Sequence, residues 1–309
     1  MKRILVTGGA GFIGSNVVPR LIEKGYSVVV FDNLSSGKLG NLDSVRNNPN
    51  FRFIQGDIKD KEALHEAFCE VNMVLHLAAL IDISASVADP AETNDVNVTG
   101  TLNVLQEAAS CKADKFVFAS STAVYGDSKI LPIKEEAAVN PISPYAASKL
   151  AGEAYCKAFA KCYGLSTVIL RFFNVYGPRN IKSPYSGVIT KFLQQAAQDK
   201  NLTIFGDGNQ TRDFINVGDV AEALVLALEA EAGGGEIFNV CTGKPTSINQ
   251  LVEVVHLVSG RHLHVTYENA RAGEIKFSYG DPSKAVQELK FTAKVSLQQG
   301  LKSIFDSLA

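Results

Sequence analysis

The stretch TGGAGFIG (residues 7–14) directly follows the apolar run ILVTG and opens a candidate helix over 12–24. Its glycines Gly8, Gly11 and Gly14 recur at every third position. Glycine at these positions lets the chain turn tightly and removes the side chains that would keep a pyrophosphate away from the helix N-terminus. The amide groups and the helix dipole there favour negative charge. The stretch therefore predicts a dinucleotide-binding turn and not simply a flexible one.

The first 175 residues alternate short apolar runs with helix-length amphipathic segments. Runs of Val, Ile, Leu and Phe without a polar alternation are typical of strands that are buried on both faces. We predict strands at 4–8, 27–32, 51–57, 73–79, 115–121 and 165–174, and helices at 12–24, 61–69, 93–110 and 144–163. This order predicts an α/β fold with a Rossmann-type doubly wound parallel sheet. Pro19 conflicts with the first helix, because a proline inside a helix costs about 3 kcal/mol.

Beyond residue 175, apolar runs and amphipathic segments no longer alternate regularly. We predict helices at 186–198, 219–230, 247–259 and 296–307, and strands within 202–217, at 236–243 and at 263–267. We expect a Rossmann domain over 1–175, to which 211–245 returns, and a smaller C-terminal α/β substrate lobe formed by 176–210 and 246–309.

The composition narrows the possible classes of protein. Hydrophobic residues make up 46% of the chain and charged residues 20%, and 30 Lys and Arg nearly balance 32 Asp and Glu. We therefore find no basic excess of the kind that binds nucleic acid, no apolar run of the roughly 18 residues that a membrane span needs, and no secretory signal pattern at the start. The five cysteines form no CxxC pair and the five histidines show no ligand spacing. We expect reduced thiols in a cytoplasmic protein, and no metal site.

Polar residues follow the second and third predicted strands. Asp32 comes 18 residues after Gly14 and suits a carboxylate that accepts from both ribose hydroxyls of an adenosine. Because Asn33 follows and a 2′-phosphate would be repelled by Asp32, NAD is favoured over NADP. Asp57 could meet the adenine amino group, cap the next helix, or do both. The small residues of Leu77-Ala78-Ala79 would let the cofactor lie flat over the strand ends.

A second motif, SPYAASK, begins at Ser143, which is a plausible helix N-cap. Tyr145 and Lys149 then stand at i and i+4 on one face of the helix. Tyrosine has a reference pKa of about 10, and a nearby ammonium favours the phenolate. With Ser121 at the end of the preceding strand, a substrate hydroxyl could be held between two oxygens. Tyr145 would take its proton as hydride leaves the same carbon for a nicotinamide.

Together these motifs resemble the extended short-chain dehydrogenases/reductases and, within them, the nucleotide-sugar 4-epimerases of the UDP-glucose 4-epimerase type. The resemblance covers essentially the whole chain. It rests on TGGAGFIG, DNLSSG, GDI, LAAL, NVTGTLNVL, FASSTAVYGD, PYAASK, RFFNVYGPR, GDGNQTRDFINVGD and RAGEIKFSYGDPSKA. It implies an isomerase that oxidises a UDP-hexose at its fourth carbon, reduces it on the opposite face, and regenerates NAD in each turnover.

The resemblance also implies the residues of two sites. The NAD would be lined by Gly8, Gly11, Phe12, Ile13, Gly14, Asp32, Asn33, Asp57, Ile58, Leu77, Ala78, Ala79, Asn97, Ser120, Tyr145, Lys149 and Phe172. The nucleotide sugar would contact Ser121, Asn174, Val188, Phe205, Arg212, Arg271, Glu274 and Ser278. In the second set, Arg212 and Arg271 would clamp phosphate oxygens, which guanidinium groups bind bidentately. The alternative for both arginines is an ordinary surface salt bridge.

The other substrate contacts follow from the same resemblance. Asn174 would meet the diphosphate, and Val188 and Phe205 would flank the uracil. Glu274 could accept a hydrogen bond from the uridine ribose. The family often carries tyrosine where this chain has Phe172, so that stacking against the cofactor should survive but one hydroxyl hydrogen bond would not.

Three positions bear on which member of the family this is. Related dehydratases carry an Asp-Glu pair where this chain has Thr122-Ala123, so that epimerisation is favoured over loss of water. Ser278 falls at the position that restricts the sugar pocket when it is tyrosine, and serine leaves room for an N-acetyl group. We expect both the UDP-glucose/UDP-galactose and the UDP-GlcNAc/UDP-GalNAc series to be accepted. A uronate 4-epimerase, a dehydratase or reductase, and an NAD-binding sensor without catalysis remain alternatives; Ala85 and Ser86 supply no cation for a uronate.

The resemblance further implies a homodimer. Two helices of each subunit, 93–110 and 144–163, would form a four-helix bundle. Apolar residues along the first helix allow this arrangement, although a face buried within one chain would look the same. They are Val98, Leu102, Leu105 and Ala109.

Overall fold

The computed structural model describes residues 1–178, 187–270 and 275–308. Its strands are β1 Arg3–Thr7, β2 Ser27–Asp32, β3 Phe51–Gln55, β4 Met73–His76, β5 Lys115–Ser121, β6 Thr167–Phe172, β7 Asn174–Tyr176, β8 Leu202–Phe205, β9 Thr211–Arg212, β10 Phe214–Asn216, β11 Glu236–Val240, β12 Thr246–Ser247 and β13 Val265–Glu268. Its α-helices are α1 Gly14–Glu23, α2 Lys61–Ala67, α3 Ile83–Ala88, α4 Pro90–Asn94, α5 Thr101–Ser110, α6 Pro144–Tyr163, α7 Val188–Ala197, α8 Val217–Glu229, α9 Ile248–Ser259, α10 Ser283–Glu288 and α11 Leu297–Asp306. A π-helical turn, Asp95–Gly100, joins α4 to α5, and 3₁₀ turns lie at Leu39–Leu42 and Thr122–Tyr125.

Seven strands form one parallel sheet in the order β11-β6-β5-β4-β1-β2-β3. The strand order reverses direction between β1 and β4, so a crevice opens there at the carboxyl ends of the strands. Thr7 at the end of β1 lies level with Phe31 on β2 and with His76 on β4. The predicted Rossmann-type doubly wound sheet is confirmed.

Both faces of the sheet are buried, as the unbroken apolar runs predict. On β1, Ile4 and Val6 belong to one core and Leu5 to the other, because successive side chains point to opposite faces. The first core is covered by α1 and α8, and the second by α2, α5 and α6. All three residues are fully buried.

A third core lies among α7, α9, α11 and β8, in the part of the chain assigned from sequence to the substrate lobe. β13 pairs in parallel with β8 at its edge. Helix α10 behaves differently, since its Ala285 packs into the core of the main sheet together with Phe291. The C-terminal part of the chain thus contributes to the third core and also to the first core of the main sheet.

Several elements end a few residues from their predicted boundaries, and two of them differ more. The predicted helix 93–110 begins earlier, at Pro90, and is interrupted by the π-helical turn. The predicted strand 165–174 divides into β6 and β7, because β7 leaves the main sheet and pairs with β10. Helix α1 continues through Pro19.

Within the described residues, no helix combines the length and the apolar character needed to cross a bilayer.

Candidate active site

The glycine turn between β1 and α1 is shaped so that only glycine fits at key positions. Gly8 has a φ of +68°, and a Cβ added there would lie 2.7 Å from the backbone nitrogen of Ala78. A Cβ on Gly14 would lie 2.5 Å from the Gly8 carbonyl oxygen. The backbone amide of Gly11 donates to that same oxygen at 3.1 Å. The turn therefore leaves a cradle without side chains at the start of α1, which fits a pyrophosphate.

A cavity of about 240 Å³ lies over this turn and the carboxyl ends of β1, β2, β4 and β5. The predicted cofactor residues on its wall are Gly8, Gly11, Phe12, Ile13, Gly14, Asp32, Asn33, Asp57, Ile58, Leu77, Ala78, Ala79, Ser120, Tyr145, Lys149 and Phe172. Sequence reasoning did not assign Phe31, Ser35, Ser36, Gly56, Leu80, Ile81, Glu92, Val96 and Ala119, which also line it. Most of these flank an assigned residue, and this adjacency is the signal that could have found them.

Asp32 is held in place before any ligand arrives. Its Oδ2 accepts from the Ala10 backbone amide at 2.9 Å, and its Oδ1 from that of Leu34 at 2.8 Å. Burial raises the pKa of Asp32, and these two hydrogen bonds act in the opposite direction. A carboxylate has about four acceptor positions, so each oxygen retains capacity for a ribose hydroxyl. The residues present therefore fit an NAD.

The neighbouring Asn33 donates through Nδ2 to Oδ2 of Asp57 at 3.0 Å. The other oxygen of Asp57 accepts from the backbone amide of Lys59 at 2.9 Å. The alternative prediction that Asp57 caps the following helix is wrong, because Asp60 is the N-cap of α2 and accepts from the amides of Glu62 and Ala63. Asp57 therefore remains on the cavity wall.

A chain of buried hydrogen bonds fixes the ends of β1 and β4. Thr101 donates through Oγ1 to the Asn97 carbonyl at 2.6 Å, so it must accept from Nε2 of His76, 2.9 Å away. Nδ1 of His76 then accepts from the Thr7 hydroxyl at 2.7 Å. Burial and, to a lesser extent, the charge of Lys149 lower the pKa of His76 to about 3. His76 is therefore neutral, with its proton on Nε2.

The structure places Asn97 behind the cavity wall and not on it. Asn97 is 2% exposed and lies in the π-helical turn, a feature that is frequent at functional sites. Its side chain exchanges hydrogen bonds with both backbone groups of Leu80, each at 2.8 Å, and donates to Oγ of Ser148 at 3.0 Å. The π-helical turn thus directs the amide of Asn97 towards Leu80, and the cofactor contact expected for Asn97 stays a prediction.

The predicted catalytic residues are brought together at the edge of the cavity. Ser143 caps α6 by accepting from the Ala146 amide at 3.2 Å. One turn of helix separates Tyr145 from Lys149, and they are 8% and 5% exposed. Ser121, at the end of β5, hydrogen-bonds the phenol of Tyr145.

The electrostatics of this group differ from the expectation. Burial raises the pKa of Tyr145, and the hydrogen bond with Ser121 lowers it. Lys149 instead donates through Nζ to the Ala119 carbonyl at 2.9 Å, and burial lowers the pKa of Lys149 to about 8. In the protein itself, the group that lowers the pKa of Tyr145 is therefore Ser121 and not Lys149. The ammonium of Lys149 is directed to the backbone of β5 instead.

A larger cavity of about 720 Å³ lies between α7, β7, β8 and β9. Four predicted substrate residues are on its wall: Asn174, Val188, Phe205 and Arg212. Sequence reasoning did not assign other polar residues on the same wall, among them Lys191, Gln195, Gln198, Lys200 and Gln210. Phe172 ends β6 on the wall of the smaller cavity, and Asn174, two residues later, begins β7 on the wall of the larger one.

The remaining predicted substrate residues are placed differently. Ser278 is 8% exposed, and its amide donates to the carbonyl of Thr211 at 3.2 Å, beside Arg212. The predictions for Arg271 and Glu274 fall outside the described residues.

The sheet, the glycine turn and the Ser-Tyr-Lys group define an extended short-chain dehydrogenase/reductase. The family model described as the NAD dependent epimerase/dehydratase family matches residues 4–241. A UDP-glucose 4-epimerase of Mycolicibacterium smegmatis is 39% identical over 303 residues, which are 97% of this chain and 96% of the relative. The chain belongs to the NAD dependent epimerase/dehydratase family, within which it is of the UDP-sugar 4-epimerase type, an NAD-dependent isomerase.

Two solved structures have the same architecture throughout. The UDP-glucose 4-epimerase of Thermotoga maritima, with UDP-glucose, is 40% identical with a TM-score of 0.92, over 98% of this chain and 97% of that one. The UDP-N-acetylglucosamine 4-epimerase of Methanobrevibacter ruminantium, in complex with UDP-N-acetylmuramic acid, is 38% identical with a TM-score of 0.94, over 99% and 97%. Proteins of similar likeness thus carry names with different sugars, and the sugar is a separate question.

Proposed function

We propose that the protein interconverts UDP-glucose and UDP-galactose through a transient 4-keto sugar, and that it also accepts the UDP-GlcNAc/UDP-GalNAc pair. The observation that carries the proposal is the group of Ser121, Tyr145 and Lys149 at the mouth of a cavity that fits NAD. The adjoining turn begins with Thr122 and Ala123, which offer no further acid or base. Epimerisation at the fourth carbon needs none.

The chain's own residues account for the proton chemistry. Ser121 and Tyr145 hold the sugar 4-hydroxyl between two oxygens, and Tyr145 removes its proton. The ammonium of Lys149, anchored on the Ala119 carbonyl, supplies positive charge near the phenolate that forms. When bound, NAD supplies the acceptor and donor of hydride. Tyr145 returns the proton once the keto sugar has presented its other face.

Residues of the larger cavity would hold the UDP portion. Val188 and Phe205 offer apolar faces for the uracil, and Asn174 and Arg212 offer donors for the diphosphate. Arg271 and Glu274 are proposed as further contacts from the resemblance. The UDP-glucose bound to the Thermotoga maritima relative supports this class of substrate.

The proposal on sugar choice depends on Ser278. Its small side chain lies beside the segment that carries Arg212, where a tyrosine would occupy far more space. The test is proton NMR of the purified protein with UDP-galactose, UDP-N-acetylgalactosamine and UDP-glucuronate separately. We expect new 4-epimer signals with the first two. S278Y should retain the first activity and lose the second, and S278A should retain both.

A uronate substrate is the main alternative. Ser86 is buried and donates through its hydroxyl to the Ile83 carbonyl at 2.7 Å, so it offers no charge to a sugar carboxylate. Turnover of UDP-glucuronate alone would replace the proposal with this alternative. Turnover of UDP-galactose without UDP-N-acetylgalactosamine would refute the broader range.

We infer a homodimer through helices 93–110 and 144–163. Leu105 is fully buried within the chain and is unavailable for this contact, which corrects one of the four predicted positions. Val98, Leu102 and Ala109 are partly exposed. Light scattering coupled to size exclusion should give twice the monomer mass, and L102E should give the monomer.

A further inference from the structure

Three successive residues of β5 are each hydrogen-bonded to a different turn of α6. Ser121 bonds Tyr145, and the Ala119 carbonyl accepts from Lys149. The remaining bond runs from the hydroxyl of Ser120 to Oε1 of Glu153, at 2.5 Å.

The three helix residues share one face, because Tyr145, Lys149 and Glu153 follow one another at intervals of four. Gly152 lets this face approach β5 closely, since a Cβ there would lie 2.5 Å from the ring of Phe118. The first two members of the face belong to the proposed catalytic group. Glu153 has no part in the reaction proposed above, yet it is only 2% exposed.

Arg171 on β6 anchors Glu153. Its Nε and Nη2 donate to the two carboxylate oxygens at 2.8 and 2.6 Å, and both side chains are almost fully buried. The guanidinium also stacks over the ring of Tyr125 at 4.6 Å and donates to the Glu135 carbonyl at 3.2 Å. Because the planar guanidinium of Arg171 contacts Tyr125 and Glu135 as well as Glu153, the carboxylate of Glu153 has little freedom to move.

Stability alone does not account for such a pair. Burying two charges costs several kcal/mol, and apolar residues of similar volume often serve the core equally well. The third contact distinguishes this pair, because Ser120 lies on the cofactor cavity and directly precedes Ser121.

We propose that Glu153, anchored by Arg171, is a positioning residue that fixes the Ser120-Ser121 strand end against the catalytic face of α6. This inference rests on the proposed function of Ser121, Tyr145 and Lys149. Loss of the carboxylate releases Ser120 and lets the strand end move relative to the helix. Since misplacement by about 1 Å can cost roughly 100-fold in rate, we expect an effect on kcat and not on KM.

The test uses two variants of the full chain. E153L/R171L removes both charges and the acceptor of Ser120 but keeps the core apolar and filled. S120A removes only the hydroxyl. We expect kcat to fall about 10-fold to 100-fold in the first and about 3-fold to 10-fold in the second. KM for UDP-galactose should stay within about twofold, and the NAD content of the purified proteins should match the parent's.

The pH profile gives a readout that packing alone would not move. The groups around Lys149 are Tyr145, Glu153 and Cys156 on its own helix and His76 on β4. The charge of Glu153 raises the pKa of Lys149 against the larger effect of burial. In E153L/R171L the alkaline limb of kcat should therefore move to lower pH.

T167V is the matched control. Thr167 is a fully buried strand hydroxyl that donates to the carbonyl of Cys156 on α6 at 3.0 Å, away from the catalytic turn. It should lower the thermal midpoint without changing kcat or the pH profile. Parental kcat in S120A, or parental kcat with an unmoved pH profile in a folded E153L/R171L, would overturn the proposal. Failure of the parent to epimerise would instead contradict the proposed function.

Discussion

The two cavities are built in different ways. Hydrogen bonds within the protein hold the wall of the smaller, cofactor cavity in place, among them those of Asp32 on β2 and of His76 on β4. The glycine turn adds close backbone packing. The larger cavity, proposed for the nucleotide sugar, is lined by residues of one stretch of the chain, 174–248, which includes α7 and β9. The smaller cavity is lined by residues spread from 8 to 172. Many separate elements must therefore fit together to form the cofactor cavity, whereas the larger cavity depends on one part of the chain.

The largest effect should come from Tyr145, on the wall of the smaller cavity. Y145F removes the hydroxyl proposed to take the sugar proton, and general acid–base groups of this kind contribute roughly 100-fold to 10,000-fold in rate. We expect kcat for UDP-galactose to fall by about that range. NAD content and the thermal midpoint should remain near parental values. Undiminished epimerisation in a folded, NAD-bearing Y145F would disprove the role assigned to Tyr145.

The cofactor half should be intolerant of one added methyl group. G8A places a Cβ 2.7 Å from the Ala78 nitrogen at a φ of +68°, so both sterics and backbone strain oppose it. We expect NAD affinity to fall by more than about 10-fold, as measured by fluorescence titration. G25A is the control, because Gly25 also has a positive φ, +86°, but has nothing within 4 Å of an added Cβ. Equal NAD affinity in the two variants would contradict the importance of the turn.

The nucleotide-sugar half should depend on a single carboxylate. Asp213 is fully buried, and its oxygens accept from both donors of Thr242 at 2.9 and 2.6 Å and from the amide of Gly243 at 2.9 Å. In D213N an NH2 group replaces one carboxylate oxygen, and this group cannot accept a hydrogen bond from these donors. Unpaired buried polar groups cost about 1–3 kcal/mol, so urea unfolding should show a loss of that size together with a raised KM.

D281N is the matched control for that substitution. Asp281 follows Gly280, whose amide also donates to Asp213 at 3.4 Å, but among the described residues its side chain accepts from exposed groups of Ser283, the amide at 2.9 Å and the hydroxyl at 2.5 Å. Its loss should cost less than about 1 kcal/mol. Equal losses in D213N and D281N would contradict the stabilising role assigned to the buried bonds of Asp213 with Thr242 and Gly243.

The smallest effect concerns pH. The pKa of His76 is depressed to about 3 in the folded protein, against about 6.5 when unfolded. The unfolded chain therefore binds the extra proton first, and this contribution to stability is present above pH 6.5 and lost as pH falls towards 3. Between pH 6.5 and 5.5 the parent should lose about 1 kcal/mol that H76Q does not lose.

The control for this pH dependence is H65Q, since the side chain of His65 is 81% exposed. Urea unfolding of H65Q should follow the parental pH dependence. A parental slope in H76Q as well would mean that His76 is not the group responsible.

The fold could be predicted because its signals are local. Most strands of the main sheet are short, mainly apolar runs, and the glycine turn and SPYAASK each fit within eight residues of sequence. The π-helical turn could not be predicted, since its extra residue is stabilised by tertiary contacts, including those of Asn97 with Leu80. The division of 165–174 into two strands likewise depends on the pairing of β7 with β10.

The candidate site could be predicted in part for the same reason. Gly8, Asp32 and Tyr145 lie at strand ends or helix starts, where position alone indicates a role. The pairing of Glu153 with Arg171 joins residues on different elements, and only the folded chain brings them together. The direction taken by Lys149, to a backbone carbonyl and not to the phenol, also depends on packing.

Strand β11 has a consequence for the growing polypeptide. It covers β6 at the border of the main sheet, yet β6 ends at Phe172 and β11 begins at Glu236. While the chain is still being translated, β6 is a bare edge whose amide and carbonyl groups can pair with another nascent chain. Its residue Val168 is fully buried in the finished molecule, in the core that α8 and β11 complete, and would be open to water until these elements follow. Emergence of β11 from the ribosome is therefore the event that ends this risk of aggregation.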